Sequence, residues 1–336
     1  MKKLTIIIPL YNTNIKYLCE CLNSCIDDID IEVIVVDDGS LVDYSSAMSN
    51  YKFKYIKTEN RGVSHARNLG IFLSKGEYVT FLDSDDLLFN IKNILNYLRT
   101  DDIILARNFK LKDTLQEDTN IIDSGMLYGD ILNRDLFVLE NRTISNVETV
   151  WAKFYKKEFL NNSGLRFDEK LRRGEDVLFN YEAYFRAESI NYSGEYVYKY
   201  RINDDSVTRS FDNIMDTTTF LLLEKFEKLF KKLNVSDENY PNYVFRLLIR
   251  LIRKYYCNLS LEQYNSKIDL LFNNVLIDKY MDKIDITHAD IYKKELYILL
   301  QLKDKLKLYE YMRSTVDKNK LKKWVKCFYW LIVETK

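Results

Sequence analysis

Tyr78-Val79-Thr80-Phe81-Leu82-Asp83-Ser84-Asp85-Asp86 is a run of apolar and β-branched residues that ends abruptly in three carboxylates. Its composition predicts a strand, and its end is marked by side chains that must face water or a cation. Working outward, Leu4 to Ile8, Glu32 to Val36 and Phe53 to Ile56 are runs of the same kind, and Ile15 to Ile26 and Ser64 to Ser74 are helix-length segments between them. Strands alternating with helices predict a mainly parallel sheet wound with crossover helices. In such a sheet a ligand binds beyond the carboxyl ends of the strands, so the polar residues directly after each strand are the candidates for function.

Composition narrows the field. The chain has 336 residues, 47% of them hydrophobic and 30% charged, which excludes a disordered chain and a polytopic membrane protein. Fifty basic residues balance fifty acidic ones, so the electrostatic footprint of sequence-independent nucleic-acid binding is missing. No stretch reaches the roughly 18 uncharged apolar residues of a spanning helix. Pro9 and Asn12 interrupt the first apolar run before a signal-peptide core is complete. Cys19, Cys21, Cys25, Cys257 and Cys327 form neither a C-x-x-C pair nor a zinc cluster with His65 or His288. Reduced thiols in a cytoplasmic protein are the expectation.

All nine glycines fall at or before Gly194. The glycine-free remainder should be helical: Leu222, Phe226, Leu229, Phe230 and Leu233 recur at helical spacing, as do apolar residues from Tyr243 to Tyr256, with Pro241 suited to a first turn. Further helices are expected over Ile291 to Tyr311 and Leu321 to Val333. Residues 1–210 are thus expected to form one domain, in halves 1–100 and 101–210, and residues 211–336 a helical one.

Each predicted strand end carries polar groups. Pro9-Leu-Tyr-Asn12 follows the first, and Asp37-Asp-Gly-Ser40 follows the second, where paired acids can accept hydrogen bonds from a base or ribose. An ordinary Asp-Gly turn accounts for the same residues. After the third, Arg61 and Arg67 can face a phosphate near a helix start, or simply be solvated. The acids after Leu82 suit a hard divalent ion that also holds substrate phosphates. Further on, Glu175 and Asp176 open a helical pattern of Val177, Leu178, Tyr181 and Tyr184. Carboxylates there are stabilised by the helix dipole and should stay ionised, as a general base needs; simple capping is the plainer alternative.

Taken together, Ile6-Ile-Ile-Pro-Leu-Tyr-Asn12, Glu32-Val-Ile-Val-Val-Asp-Asp-Gly-Ser40, Asn60-Arg-Gly, Ala66-Arg-Asn-Leu-Gly70 and Gly76 to Asp86 resemble glycosyltransferase family 2, nucleotide-sugar-dependent enzymes of the GT-A fold. The resemblance covers residues 1 to about 210 and implies a Rossmann-like α/β sheet. It implies that Pro9, Tyr11, Asn12, Asp37 or Asp38, Arg67 and Ser84 line the nucleotide-sugar pocket. Asp83 and Asp85 would be the D-x-D pair, with Asp83 towards the ribose and Asp85 on Mn2+ or Mg2+. Asp176 would be the general base and Glu175 its support.

Lys153 could approach phosphate or acceptor, and Trp151 could stack on a sugar or be buried. The Q-x-x-R-W motif of processive synthases is absent, so transfer of one sugar per encounter is expected. The resemblance implies an inverting transfer from a nucleotide sugar, by family frequency a UDP-sugar, to a glycan, lipid-linked or glycoprotein acceptor in bacterial surface-polysaccharide synthesis. A non-catalytic nucleotide-sugar-binding scaffold is the alternative. Arg201 and Ser206 could order a loop over the donor. Lys318, Lys320, Lys322, Lys323 and Lys326 beside Trp324, Phe328, Tyr329 and Trp330 suit the inner face of a membrane, or equally a core helix or a homodimer contact.

Overall fold

Leu4–Leu10 is buried along its whole length, and Ile31–Asp37 very nearly so. A continuous apolar run of this kind needs cover on both faces, which is the environment of a parallel strand inside a sheet. The computed structural model describes residues 2–25, 29–111, 115–116, 148–201, 215–233, 240–254, 256, 259–287, 289 and 291–314. The chain forms two compact units, Met1–Ser210 and Phe211–Lys336.

In the first unit β1 (Leu4–Leu10), α1 (Ile15–Ser24), β2 (Ile31–Asp37), α2 (Ser45–Met48), β3 (Lys54–Lys57), α3 (Val63–Leu73) and β4 (Tyr78–Phe81) follow one another. Then come β5 (Leu87–Leu88), α4 (Ile91–Ile94), β6 (Ile103–Leu111), β7 (Leu115–Gln116), β8 (Lys153–Lys156), α5 (Lys157–Asn162), α6 (Glu175–Arg186) and β9 (Ile190–Arg201). Among the described residues the sheet order is β3-β2-β1-β4-β8-β6-β9-β5, with β7 beside β6. The first four strands are parallel. Beyond β4 the sheet is mixed: β8 runs antiparallel to β4 and β6, β9 is parallel to β6, and β5 is antiparallel to β9. The parallel half is the part whose strands are linked by crossovers, as that pairing requires.

One face of the sheet packs Ile6, Ile8, Val33 and Val35 with Leu18 and Leu22 of α1 and with Tyr44. The other face carries Ile34 and Val36 against Ala66 of α3. Burying each such aliphatic side chain contributes roughly 1.5–3 kcal/mol. Register then sets the site: Leu10 pairs with Asp37 and Ile7 with Phe81, so the residues after β1, β2 and β4 emerge along one sheet edge. They are tied there by Asn12 N–H donating to Ser40 Oγ at 2.9 Å and by a 2.5 Å contact between the Thr13 and Ser84 hydroxyls.

The turn after β2 depends on Gly39, whose φ is +76° and where an added Cβ would lie 2.6 Å from the Asn60 backbone nitrogen. Gly39→Ala is therefore expected to lower the urea midpoint by an amount equivalent to about 1–3 kcal/mol. Gly62→Ala, at φ +97° with nothing within 4 Å, should cost less, because it adds backbone strain without a clash.

The second unit contains α7 (Met215–Lys232), α8 (Tyr240–Lys254), α9 (Leu261–Phe272), α10 (Val275–Met281), α11 (Ile291–Gln301) and α12 (Lys305–Ser314). Phe226 and Phe230 pack on Tyr243 and Tyr240, with ring centroids 4.5 and 5.5 Å apart, and Pro241 stands in the first turn of α8. The helical stretch expected over Ile291 to Tyr311 falls into two helices: Lys303 has φ 52°, and the Asp304 carboxylate accepts the Lys307 N–H to start the second. The basic-aromatic segment 318–332, and with it the expected Leu321 to Val333 helix, lies outside the described residues. Among the described residues no helix is long and apolar enough to cross a membrane.

Candidate active site

The turn after β4 separates its three acids. Asp86 is 1% exposed and turned inward, taking the Tyr198 hydroxyl at 2.6 Å and the Arg201 backbone N–H at 2.7 Å. Burial, with Asp83 and Asp85 nearby, pushes its carboxyl well above the usual carboxylate range. Asp83 and Asp85 remain partly exposed. Ser84 is buried between them, its hydroxyl engaged with Thr13.

The acids after β2 have protein partners of their own. Asp37, fully buried, accepts the Ser40 N–H and the Tyr55 hydroxyl at 2.8 and 2.6 Å. Asp38 accepts the backbone N–H groups of Arg61 and Gly62 at 2.8 and 2.7 Å, fixing the approach to α3. Both carboxylates shape the strand-end loops. Pro9 is buried within β1, Tyr11 is 52% exposed, and Asn12, at φ 48°, accepts the Leu41 N–H.

Arg67 lies in α3 and is 6% exposed. One guanidinium nitrogen donates to Glu175 at 2.9 Å and the other to Asp83 at 3.2 Å. Its carbon stands 5.3 Å from the Phe167 ring, and its Nε is buried without a hydrogen-bond partner. Burial opposes the positive charge, but Asp83, Glu175 and Asp176 more than offset it and hold the guanidinium above its ordinary value. Arg67, which the sequence allows to face a phosphate, is paired within the protein: burial requires pairing, and carboxylates from two distant segments supply it. Arg61 is likewise paired, to Glu169 at 3.0 Å, and that carboxylate also reaches His65 and Asn68.

Gly174, at φ 78°, precedes α6, whose first residues are Glu175 and Asp176. Asp176 accepts its neighbour Val177 N–H at 2.8 Å. Its carboxyl is pushed up to about 7, by burial first and then by Glu175, with Arg67 opposing. This corrects the helix-dipole expectation of an always ionised group, because desolvation and an adjacent carboxylate outweigh the dipole. Lys153 on β8 is 1% exposed and brought down to about 7 by burial, with the Asp176 carboxylate opposing that shift.

Trp151 stacks on Tyr198, centroids 4.9 Å apart and nearly parallel, and on Tyr200 at 6.0 Å, so it packs within the fold. Ser206 lies outside the described residues. Sequence reasoning named Asp86 as one of three acids but missed its inward role, and it missed Tyr198 as a partner of the turn and Glu20 as the partner of Arg201. The alternating tyrosines of β9, at 192, 196, 198 and 200, were the available signal.

Comparison with known proteins identifies the family. The profile described as Glycosyl transferase family 2 matches residues 5–160. Uncharacterized glycosyltransferase RT0329 of Rickettsia typhi is 30% identical, over 68% of this chain and 73% of that protein. Poly(ribitol-phosphate) beta-N-acetylglucosaminyltransferase TarP of Staphylococcus aureus is 25% identical, over 91% of this chain and 100% of that one. Other curated relatives are much longer, the chain spanning 32% to 35% of their length. The crystal structure of S. aureus TarS 1-349 in complex with UDP-GlcNAc shares the fold, with a TM-score of 0.67 at 19% identity, over 94% of this chain and 92% of that one. An identity of this size across two thirds of both chains, with a profile that runs from β1 to β8 through the strand-end turns, makes this chain a glycosyltransferase of family 2.

Proposed function

We propose that the protein is an inverting, single-transfer enzyme that moves a sugar from a UDP-sugar to a hydroxyl of a bacterial surface glycan, with Asp176 as general base. The observation that carries this reading is the buried Arg67 guanidinium, which joins Asp83 of the donor-side turn to Glu175 beside Asp176. The UDP moiety is supported by the ligands of the TarS structures, and a surface-polymer acceptor by the activity in TarP's name.

In this reading the acceptor hydroxyl gives its proton to Asp176 as its oxygen bonds to the anomeric carbon. The bond to the diphosphate breaks on the opposite face, and its electron pair leaves with the nucleoside diphosphate. Glu175, held by Arg67, keeps the start of α6 in place, and Lys153, brought down to about 7 by burial, has its charged form favoured by the Asp176 carboxylate. Asp83 and Asp85 offer the oxygen donors a hard divalent cation prefers, while Asp86 is turned away to Tyr198 and Arg201. Among the described residues no group of three or more metal-ligating side chains occurs, so Asp83 and Asp85 would share Mn2+ or Mg2+ with donor phosphates and water. Such an ion would neutralise charge on the departing diphosphate.

The test is a panel of nucleotide sugars scored by thermal stabilisation and by donor hydrolysis with Mn2+ or with EDTA. A UDP-sugar that both stabilises the protein and is hydrolysed only with the metal is the expected result. Binding with metal-indifferent background hydrolysis would instead favour a non-catalytic scaffold. The pH profile is a second check. A base must be deprotonated, so kcat/KM should fall as pH drops through about 7, the value to which Asp176 is raised. A profile flat from pH 5 to 8 would remove Asp176 from that role.

A further inference from the structure

Arg201, the last residue of β9, makes four contacts beneath the D-x-D turn. Its backbone N–H donates to Asp86 Oδ1 at 2.7 Å and its Nε to the Asp85 carbonyl at 2.8 Å. Its Nη2 pairs with Glu20 of α1 at 2.5 Å, and the guanidinium lies 4.5 Å from the Tyr17 ring centre. Tyr198, three residues earlier, donates its hydroxyl to Asp86 at 2.6 Å and accepts the Asp83 N–H at 3.3 Å. From the α1 side, Cys21 Sγ reaches the Asp83 carbonyl at 3.7 Å. Every residue of the turn except Ser84 is thus gripped from β9, and Ser84 is held by Thr13.

We propose that Arg201, acting with Tyr198 through Asp86, is a positioning residue that presets the Asp83 and Asp85 carboxylates for the cation and diphosphate of the donor. This rests on the donor-site reading above and adds a group that touches neither donor nor metal. The physical need is clear: two like charges on one tight turn repel, and without a cation they would splay unless the backbone beneath them is fixed. Asp86 makes that fixing possible by taking two donors inward. The planar guanidinium suits the task because it satisfies the Asp85 carbonyl and the Glu20 carboxylate at once from a fixed fork, which the single ammonium of a lysine cannot reproduce. The sequence offered Arg201, with Ser206, for ordering a loop over the donor; its described contacts run to the D-x-D turn itself.

The experiment compares wild type, Arg201→Lys, Tyr198→Phe and, as a control for loss of a half-buried, ion-paired arginine, Arg186→Lys, whose partners are Glu182 and the Ser163 carbonyl. UDP affinity is measured by calorimetry with Mn2+ and with EDTA, and donor and acceptor KM are measured on folded protein checked by circular dichroism. Arg201→Lys should weaken UDP binding about tenfold or more in Mn2+, leave it within about twofold in EDTA, and raise donor KM while acceptor KM stays put, since small misplacements of a positioned group carry large costs. Tyr198→Phe should move the same quantities in the same direction by less, and it decides the matter if Arg201→Lys does not fold. Equal affinities for the folded variants and wild type in Mn2+, or a loss shared by Arg186→Lys or persisting in EDTA, would overturn the proposal. Wild type that neither binds UDP nor responds to Mn2+ would overturn the donor-site reading itself, a separable failure.

Discussion

Asp176→Asn is expected to reduce kcat/KM by about 10²- to 10⁴-fold, the range a positioned general base contributes, while UDP still binds. The substitution is nearly isosteric and leaves the Val177 N–H an acceptor, so geometry survives and the proton sink is lost. Stability should not suffer. Asp176 is raised by burial and by Glu175, so its charge is held at a cost that a neutral amide removes. Linkage fixes the sign: the folded carboxyl binds its proton up to about 7 whereas an unfolded one releases it near 3.8, so wild-type stability from this group falls as pH rises between those values. The variant should therefore gain relative to wild type at pH 8 and lose that advantage below pH 4. Steady-state kinetics with urea unfolding at both pH values checks this. Transfer within threefold of wild type, with Asp176→Asn folded, would remove Asp176 from the chemistry.

The parallel half of the sheet was legible because its signal is local. Val33 to Val36 and Ile6 to Ile8 are apolar on consecutive residues, as strands covered on both faces must be. The D-x-D turn and the start of α6 were legible for the same reason: acids directly after an apolar run, and acids directly before a helical one. What was not legible is whatever depends on partners far along the chain. The pairing of β6 with β8 and β9 joins segments separated by long connections, and no periodicity within Ile103–Leu111 specifies it. Asp86 follows Asp83 and Asp85 in one acidic run, and only tertiary packing makes it a buried acceptor. Arg67 is the sharpest case: its type suggested phosphate, but its place between α6 and β4 gave it two carboxylates.

That placement makes Arg67→Met the substitution with the largest expected effect on folding. Side-chain exposures are 7% for Arg67, 11% for Glu175 and 33% for Asp83, so the pair with Glu175 is desolvated and the pair with Asp83 partly so. Removing one partner of a buried ion pair typically costs about 3–5 kcal/mol, because the other charge is left unpaired in a poor solvent. Discounting for the exposure of Asp83, a loss near 3 kcal/mol in urea unfolding is expected, together with loss of activity. The double variant Arg67→Met with Glu175→Gln should recover a large part of that loss, since the more deeply buried carboxylate is then neutral. If instead the losses simply add, Glu175 is not the charge that Arg67 serves. The pH dependence separates charge from packing: the Asp176 carboxyl, raised by burial and lowered by Arg67, holds its proton more tightly still in the folded state once the guanidinium is gone. The deficit of Arg67→Met should then shrink as the solution is acidified from pH 7 towards 4, whereas a deficit from lost packing against Phe167 would stay constant.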